Sequence, residues 1–470
     1  MFRRFLGTVG LEEARLRGRT TNRDGVDKFV NQKSPMNQET HTFWHHLQVD
    51  RRWMLLFAGI LIFCFMTKVV RLSYPSDFYF DEVYHGFTAT VYLHGDKQAY
   101  DPWAKPPEGK AFEWTHPPLA KLIMTGMMLV FGENPFGWRI GSVLFGTAAT
   151  VATAVLAFEL FGAMPIALIA MALMSMENLV LAQSRLAMND SYFIFFMLIA
   201  LIGYVRWRKD EASLRYLYLA GLGLGLAVAT KWTAFYVFAI LAIDLAACAV
   251  WRRRLPARTS LLHLPLALGI VPAGLYLASY LHFFALGWGW ADLVHLQQQM
   301  WWYHTGLKAT HSYKSAPWQW ILNLRPVWFH VDYSRPGYAA NIYNLGNSVI
   351  LYSGLYAVIV SVVQLRGVLA SWSLWFAILA YLMLWVPWTF SPRMMLFYHY
   401  LPAIPLLCIL LARWLASKLS SDHAGERVVP HIILATAFLW FVIFYPNSTE
   451  IPVPQGFADI VYFALPGWKL

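Results

Sequence analysis

The sequence predicts an all-α integral membrane protein with about eleven transmembrane helices and two long outer loops. Three observations carry this. Of 470 residues, 58% are hydrophobic and only 13% charged, against roughly 25% charged in soluble domains, and mean hydropathy is +0.45. Apolar runs of spanning length recur from Trp53 to Phe444. The basic stretches Arg206 to Lys209, Arg252 to Arg254 and Arg413 to Arg427 fall where positive-inside sorting places cytoplasmic connections. The net charge of +11, from 37 basic and 26 acidic residues, is therefore topogenic, and nucleic acid is excluded as a partner. Cys64, Cys248 and Cys408 all lie in apolar segments, so neither a disulfide framework nor a thiolate metal site is expected.

In chain order, residues 1–50 are polar and Arg-rich and read as a flexible cytoplasmic arm without a cleavable signal peptide. A first transmembrane module, 51–284, opens with a span at 53–70 and the first outer loop, 71–138. The apolar run Leu119 to Phe131 is about 13 residues, short of the ~20 needed to cross. Counting it as a span would also put the Arg206 and Arg252 clusters outside, so it is read as a juxtamembrane helix on the outer face, entered through Pro117-Pro118. Further spans are expected at 139–161, 164–181, 191–205, 216–230, 232–250 and 261–284. A Trp-rich outer loop, 285–346, follows and is expected to lie on the membrane surface. The C-terminal module, 347–470, supplies spans at 347–365, 371–389, 393–412 and 429–446, which leaves the C-terminus outside.

The chemistry centres on Asp81-Glu82, two adjacent carboxylates just beyond the first span, where nearby low dielectric makes idle charge costly. Against the sorting rule, four basic residues stand at outer span ends: Arg139, Arg185, Lys231 and Arg393. Any one of them alone reads equally well as a side chain snorkelling to lipid headgroups. Four on one face beside two carboxylates suit an anionic, membrane-anchored substrate. Asp190 reads either as the N-cap of the following span or as a partner holding the Arg185 guanidinium. His399 is a substrate-site candidate whose structural alternative is a hydrogen-bonding role in its span. Asp244 is placed toward the cytoplasmic half and left unassigned. His295, His304 and His311 lack the spacing of a helical zinc pair, so no metal ligands are assigned and a divalent cation stays open only as a cofactor.

In their order along the chain these motifs resemble the protein O-mannosyltransferase family, within the polyprenyl-phosphate-dependent membrane glycosyltransferases of the GT-C fold. The resemblance runs from about residue 53 to 446. It rests on Asp81-Glu82, His116-Pro117-Pro118-Leu119-Ala120-Lys121, Trp138-Arg139, Ser184-Arg185 with Asp190, Lys231-Trp232-Thr233, His311-Ser312-Tyr313, Pro317 to Trp320, Arg325-Pro326, and Pro392-Arg393 through Tyr398-His399-Tyr400. It brings His85 and His116 into the substrate-binding set. Many members read Asp-Glu-x-His-Phe-Gly where this chain has Asp81-Glu82-Val83-Tyr84-His85-Gly86, so His85 carries no defined role. Only about 60 residues separate the spans where eukaryotic members carry a MIR domain, so the likeness is to compact bacterial members.

The resemblance implies a polyprenyl-phosphate sugar donor, typically mannose, and Ser or Thr hydroxyls of exported proteins as acceptors. The site would lie on the outer, periplasmic face of a bacterial inner membrane. Asp81 would be the general base, worth typically ~10²–10⁴-fold. Glu82 would orient the acceptor or share that role, and the basic ring would neutralise the leaving phosphate. Two alternatives are a same-fold transferase acting on a lipid or cell-wall glycan, like the aminoarabinose transferases, and a transporter. A transporter would show an inverted repeat and midplane charges, neither of which is evident.

Overall fold

The computed structural model describes residues 42–251, 256–367 and 371–468. The expected cytoplasmic arm lies outside the described residues, apart from 42–50. Among the described residues, nine helices are long and apolar enough to cross a membrane, or ten if one bent pair counts as a single span.

Helices α1 (Arg51–Val69), α2 (His85–Leu93), α3 (Leu119–Phe131) and α4 (Pro135–Phe161) open the chain. The 13-residue α3 has the expected length, and it turns Ala120, Met124 and Met128 inward while Leu129 and Val130 stay exposed. The single span expected at 164–181 is instead two helices, α5 (Met164–Ser175) and α6 (Asn178–Ser184), bent by 65°. Glu177 makes the break: its carboxylate accepts from the backbone N–H of Leu179, at 2.6 Å, and of Asn347, at 2.7 Å. That buried cap satisfies donors a bent helix would otherwise leave open.

α7 (Asp190–Lys209) packs closely on α8 (Leu214–Val228). A Cβ at Gly203 would sit 2.5 Å from the Ala220 nitrogen, and one at Gly223 2.5 Å from that of Ala200, so small residues let the two backbones meet. α8 has the 15 residues of the span expected at 216–230, fewer than the nine long helices, and with the bent pair counted as one span it accounts for the difference between ten and eleven. α9 (Phe235–Trp251) carries Asp244, which is fully buried. Its carboxylate accepts from Tyr204 and Arg208 of α7 and from Trp372, the first residue of the helix Trp372–Trp385, so the unassigned acid is a staple between three helices.

The apolar stretch Thr259–Ala285 leads to α10 (Trp290–Gly306) in the second outer region. That region is more structured than the expected surface loop. It holds an antiparallel pair, β1 (Val327–Asp332) and β2 (Tyr338–Asn344), with a register shift between Trp328 and His330. β2 also pairs with β3 (Val453–Pro454), so the segment after the last span returns to tie down this loop. The last spans are α11 (Ser348–Gly367), α12 (Trp372–Trp385), α13 (Ile404–Leu419) and α14 (Ala424–Phe444). The span expected at 393–412 begins later, with a 3₁₀ turn over Phe397–Ala403 before α13, and Arg393 lies in the preceding loop. α4, α7 and the Phe397–Leu419 segment form the buried centre, with 78%, 83% and 83% of their apolar windows inside the protein, whereas only 11% of the α1 window is buried.

Candidate active site

The acidic pair sits in a 3₁₀ turn, Phe80–Val83, between α1 and α2. Successive side chains in such a turn diverge by about 120°, so Asp81 and Glu82 cannot share a face. Phe80 holds a left-handed φ of 49°, unfavourable for a residue with a Cβ, and its ring stacks on Phe329 at 4.1 Å.

Glu82 turns into the protein and is fully buried. Its Oε1 accepts from Arg139 Nε at 2.8 Å and the Ala187 N–H at 2.9 Å, and its Oε2 accepts from Arg139 Nη2 at 2.8 Å. Arg139, also fully buried, uses its remaining N–H groups on the carbonyls of Leu72, Pro75 and Asp77. All five guanidinium donors are thereby satisfied. The pair braces the first outer loop, and neither Glu82, expected to orient the acceptor, nor Arg139, expected to meet the phosphate, lines the cavity described below.

Arg185, also expected to meet the phosphate, likewise lies outside that cavity lining. It is buried and donates to the carbonyls of Lys68 at 2.6 Å, Val70 at 2.7 Å and Arg71 at 3.2 Å, placing a cation on the C-terminal end of α1. Asp190 does not touch it. The N-cap position of α7 belongs to Asn189, and Asp190 instead pairs with Lys231 at 2.8 Å.

The remaining candidates converge. A cavity of about 440 Å³ is lined by Asp81, His85, His116, Asp190, Lys231, Arg393 and His399. Tyr398 donates its hydroxyl to Asp81 Oδ2 at 3.4 Å. Burial, reinforced by the Asp190 charge, raises the Asp81 pKa to about 7, with Lys231 and the Tyr398 hydrogen bond pulling the other way. A carboxyl so tuned is a stronger base than an ordinary aspartate, and about half of it is ionised at neutrality. His399 lies against Trp388 and Tyr398, with its Nδ1 3.0 Å from the Leu396 carbonyl.

The sequence pattern left Glu113 unmarked and gave Tyr398 and His304 no role in the site. The signal for Glu113 was its place three residues before His116. Its buried carboxylate accepts from Thr115, from His116 Nδ1 at 2.8 Å and from Lys121 Nζ. Burial works against its charge, but the Lys121 ammonium and the hydrogen bond from His116 outweigh it and hold the carboxyl well below the usual range. Burial lowers His116 to about 3 and His85 to about 4, so both imidazoles are neutral. His85, Glu113 and His116 are the trio among the described residues whose ligand atoms, all within 4.8 Å of one another, suit a metal ion. The fit is poor: the Lys121 ammonium already occupies the cation position at Glu113, and a metal would have to displace it.

A second cavity of about 500 Å³ shares His116, Lys231, Arg393, Met394 and His399 with the first. Its other walls are largely aromatic, including Phe235, Trp301 and Phe390, which are all exposed. The two cations thus stand in a wall common to a polar and an aromatic chamber.

Comparison with known proteins agrees with this architecture. Residues 58–286 match the family described as dolichyl-phosphate-mannose-protein mannosyltransferase, and residues 289–455 match the C-terminal four-transmembrane region of protein-O-mannosyltransferase. The polyprenol-phosphate-mannose--protein mannosyltransferase of Mycobacterium tuberculosis is 24% identical over 75% of this chain and 81% of its own length. That of Corynebacterium glutamicum is 25% identical over the same shares. Among solved structures, the Saccharomyces cerevisiae Pmt1-Pmt2 protein O-mannosyltransferase complex bound to the sugar donor has a TM-score of 0.73 at 14% identity, covering 90% of this chain and 93% of that one. ArnT from Cupriavidus metallidurans bound to undecaprenyl phosphate has a TM-score of 0.54 at 14% identity, covering 85% and 76%. With both family matches spanning the helical frame and the two-chambered site, this multi-pass membrane protein of the GT-C fold belongs to the protein O-mannosyltransferase family.

Proposed function

We propose that the protein transfers a mannosyl unit from a polyprenyl-phosphate sugar to Ser or Thr hydroxyls of exported polypeptides, at the outer face of a bacterial inner membrane. The observation that carries this is the shared wall: Asp81 opens on the polar cavity only, whereas Lys231 and Arg393 border both cavities. The isoprenoid then lies along the aromatic chamber, the phosphate meets Lys231 and Arg393, and the acceptor hydroxyl approaches from the Asp81 side.

Transfer is a single inverting displacement. Asp81 takes the hydroxyl proton as the acceptor oxygen bonds to the anomeric carbon, and the bond from that carbon to the phosphate oxygen breaks. Charge that develops on the leaving phosphate is met by two preorganised cations. Asp190 holds Lys231 and, as a neighbouring negative charge, keeps Asp81 basic. Purified protein incubated with radiolabelled polyprenyl-phosphate mannose and a Ser/Thr peptide is expected to label the peptide, and Asp81→Asn is expected not to. Label appearing in a lipid fraction with none in peptide would replace the protein acceptor with a lipid one.

A further inference from the structure

Arg393 is held differently from the other outer arginines. Among the described residues it has no carboxylate partner; its Nη1 lies 2.6 Å from His304 Nδ1, and its guanidinium lies over the Tyr303 ring at 4.5 Å. His304 Nε2 is 2.7 Å from the Thr115 carbonyl. A carbonyl only accepts, so Nε2 carries the proton and Nδ1 presents its lone pair to the arginine. Burial holds the His304 pKa below the usual histidine value, consistent with that neutral form. The ring is further fixed between His116, at 5.3 Å, and Trp232, at 5.6 Å.

The choice of acceptor matters chemically. A carboxylate grips a guanidinium but cancels its charge, as Glu82 does for Arg139. A neutral imidazole aligns the guanidinium and leaves its full charge and remaining donors for an anion. We infer that His304 is a positioning residue of the transfer reaction, clamping Arg393 against the wall between the two cavities while anchored to the Thr115 carbonyl. The inference rests on the reading that Arg393 meets the donor phosphate. It also links three segments distant in sequence, since Thr115, His304 and Arg393 belong to the first outer loop, α10 and the loop before the Phe397–Ala403 turn.

The test uses the full chain, radiolabelled polyprenyl-phosphate mannose and an acceptor peptide. R393Q is expected to raise donor KM and leave acceptor KM unchanged. H304F should raise donor KM about tenfold, the fold-change of one hydrogen bond to a charged group, and H304F/R393Q should be no worse than R393Q. H304Q should recover most of the loss, because its amide N–H₂ can donate to Thr115 while its oxygen accepts from Arg393. An unchanged donor KM in H304F alongside a raised one in R393Q overturns the clamp and leaves the phosphate reading standing. No change in R393Q overturns both. Where H304F does not fold, H304E decides: it grips Arg393 but neutralises it, so its donor KM should exceed that of H304Q, and equal values overturn the clamp.

Discussion

Two regions on the same side of the molecule use the same residue types to opposite ends. In the brace, Glu82, Arg139 and Arg185 face inward and satisfy one another or backbone carbonyls at the end of α1 and the start of the first outer loop. In the cavity wall, Asp81, Lys231 and Arg393 face the polar chamber and keep unsatisfied capacity. The contrast teaches that a charge at the outer end of a span is informative only after its hydrogen bonds are counted. An arginine with five protein acceptors is a fastener, and one held by a neutral imidazole and a tyrosine ring is available to a ligand.

The largest expected difference lies between neighbours. Asp81→Asn should lower turnover by about 10²–10⁴-fold with an unchanged melting temperature. Glu82→Gln should instead lose about 3–5 kcal/mol of stability, because it leaves the buried Arg139 charge uncompensated. Turnover assays and thermal melts of both variants in detergent check this, and a stable but inactive Glu82→Gln protein would move Glu82 into the reaction.

The cations give the next contrast. Lys231→Gln should raise donor KM by about ten- to hundredfold, as expected for losing an interaction with a charged group. Arg185→Lys, which surrenders part of a three-carbonyl contact, should lower the melting temperature and leave the donor KM of the folded fraction unchanged. A donor KM effect in Arg185→Lys at wild-type stability would erase the distinction between brace and wall.

The pH profile sharpens the wall itself. Asp81 acts as base only when ionised, so turnover should fall as pH drops through about 7. Asp190→Asn removes a negative charge that raises the Asp81 pKa, so the acid limb should move to lower pH. Lys231→Gln removes a positive charge that lowers it and should move the limb upward. Shifts of the same sign in the two variants would contradict this electrostatic arrangement. The smallest effect is expected at the Asp244 staple, where Asp244→Asn should cost about 1–3 kcal/mol of stability with donor and acceptor KM unaltered, as melts and kinetics would show.

From composition, run length and loop charge, the sequence by itself determined a helical membrane protein and the short α3, and it singled out Asp81, Lys231 and Arg393, which line one cavity. These depend on the one-dimensional cost of placing charge and polar backbone near lipid, which can be read along the chain. Only the tertiary structure decided which of two adjacent carboxylates faces the cavity, because that turns on the geometry of one 3₁₀ turn and on Arg139, 57 residues away. The bend at Glu177 was equally hidden, since the N–H of Asn347 that completes its cap lies 170 positions along. The sheet was missed because its third strand comes from beyond the last span, and Glu113 and His304 because single polar residues in a long loop carry no periodic signal. Sequence pattern locates charges relative to the membrane; which of them remain free is set by long-range partners that no local pattern encodes.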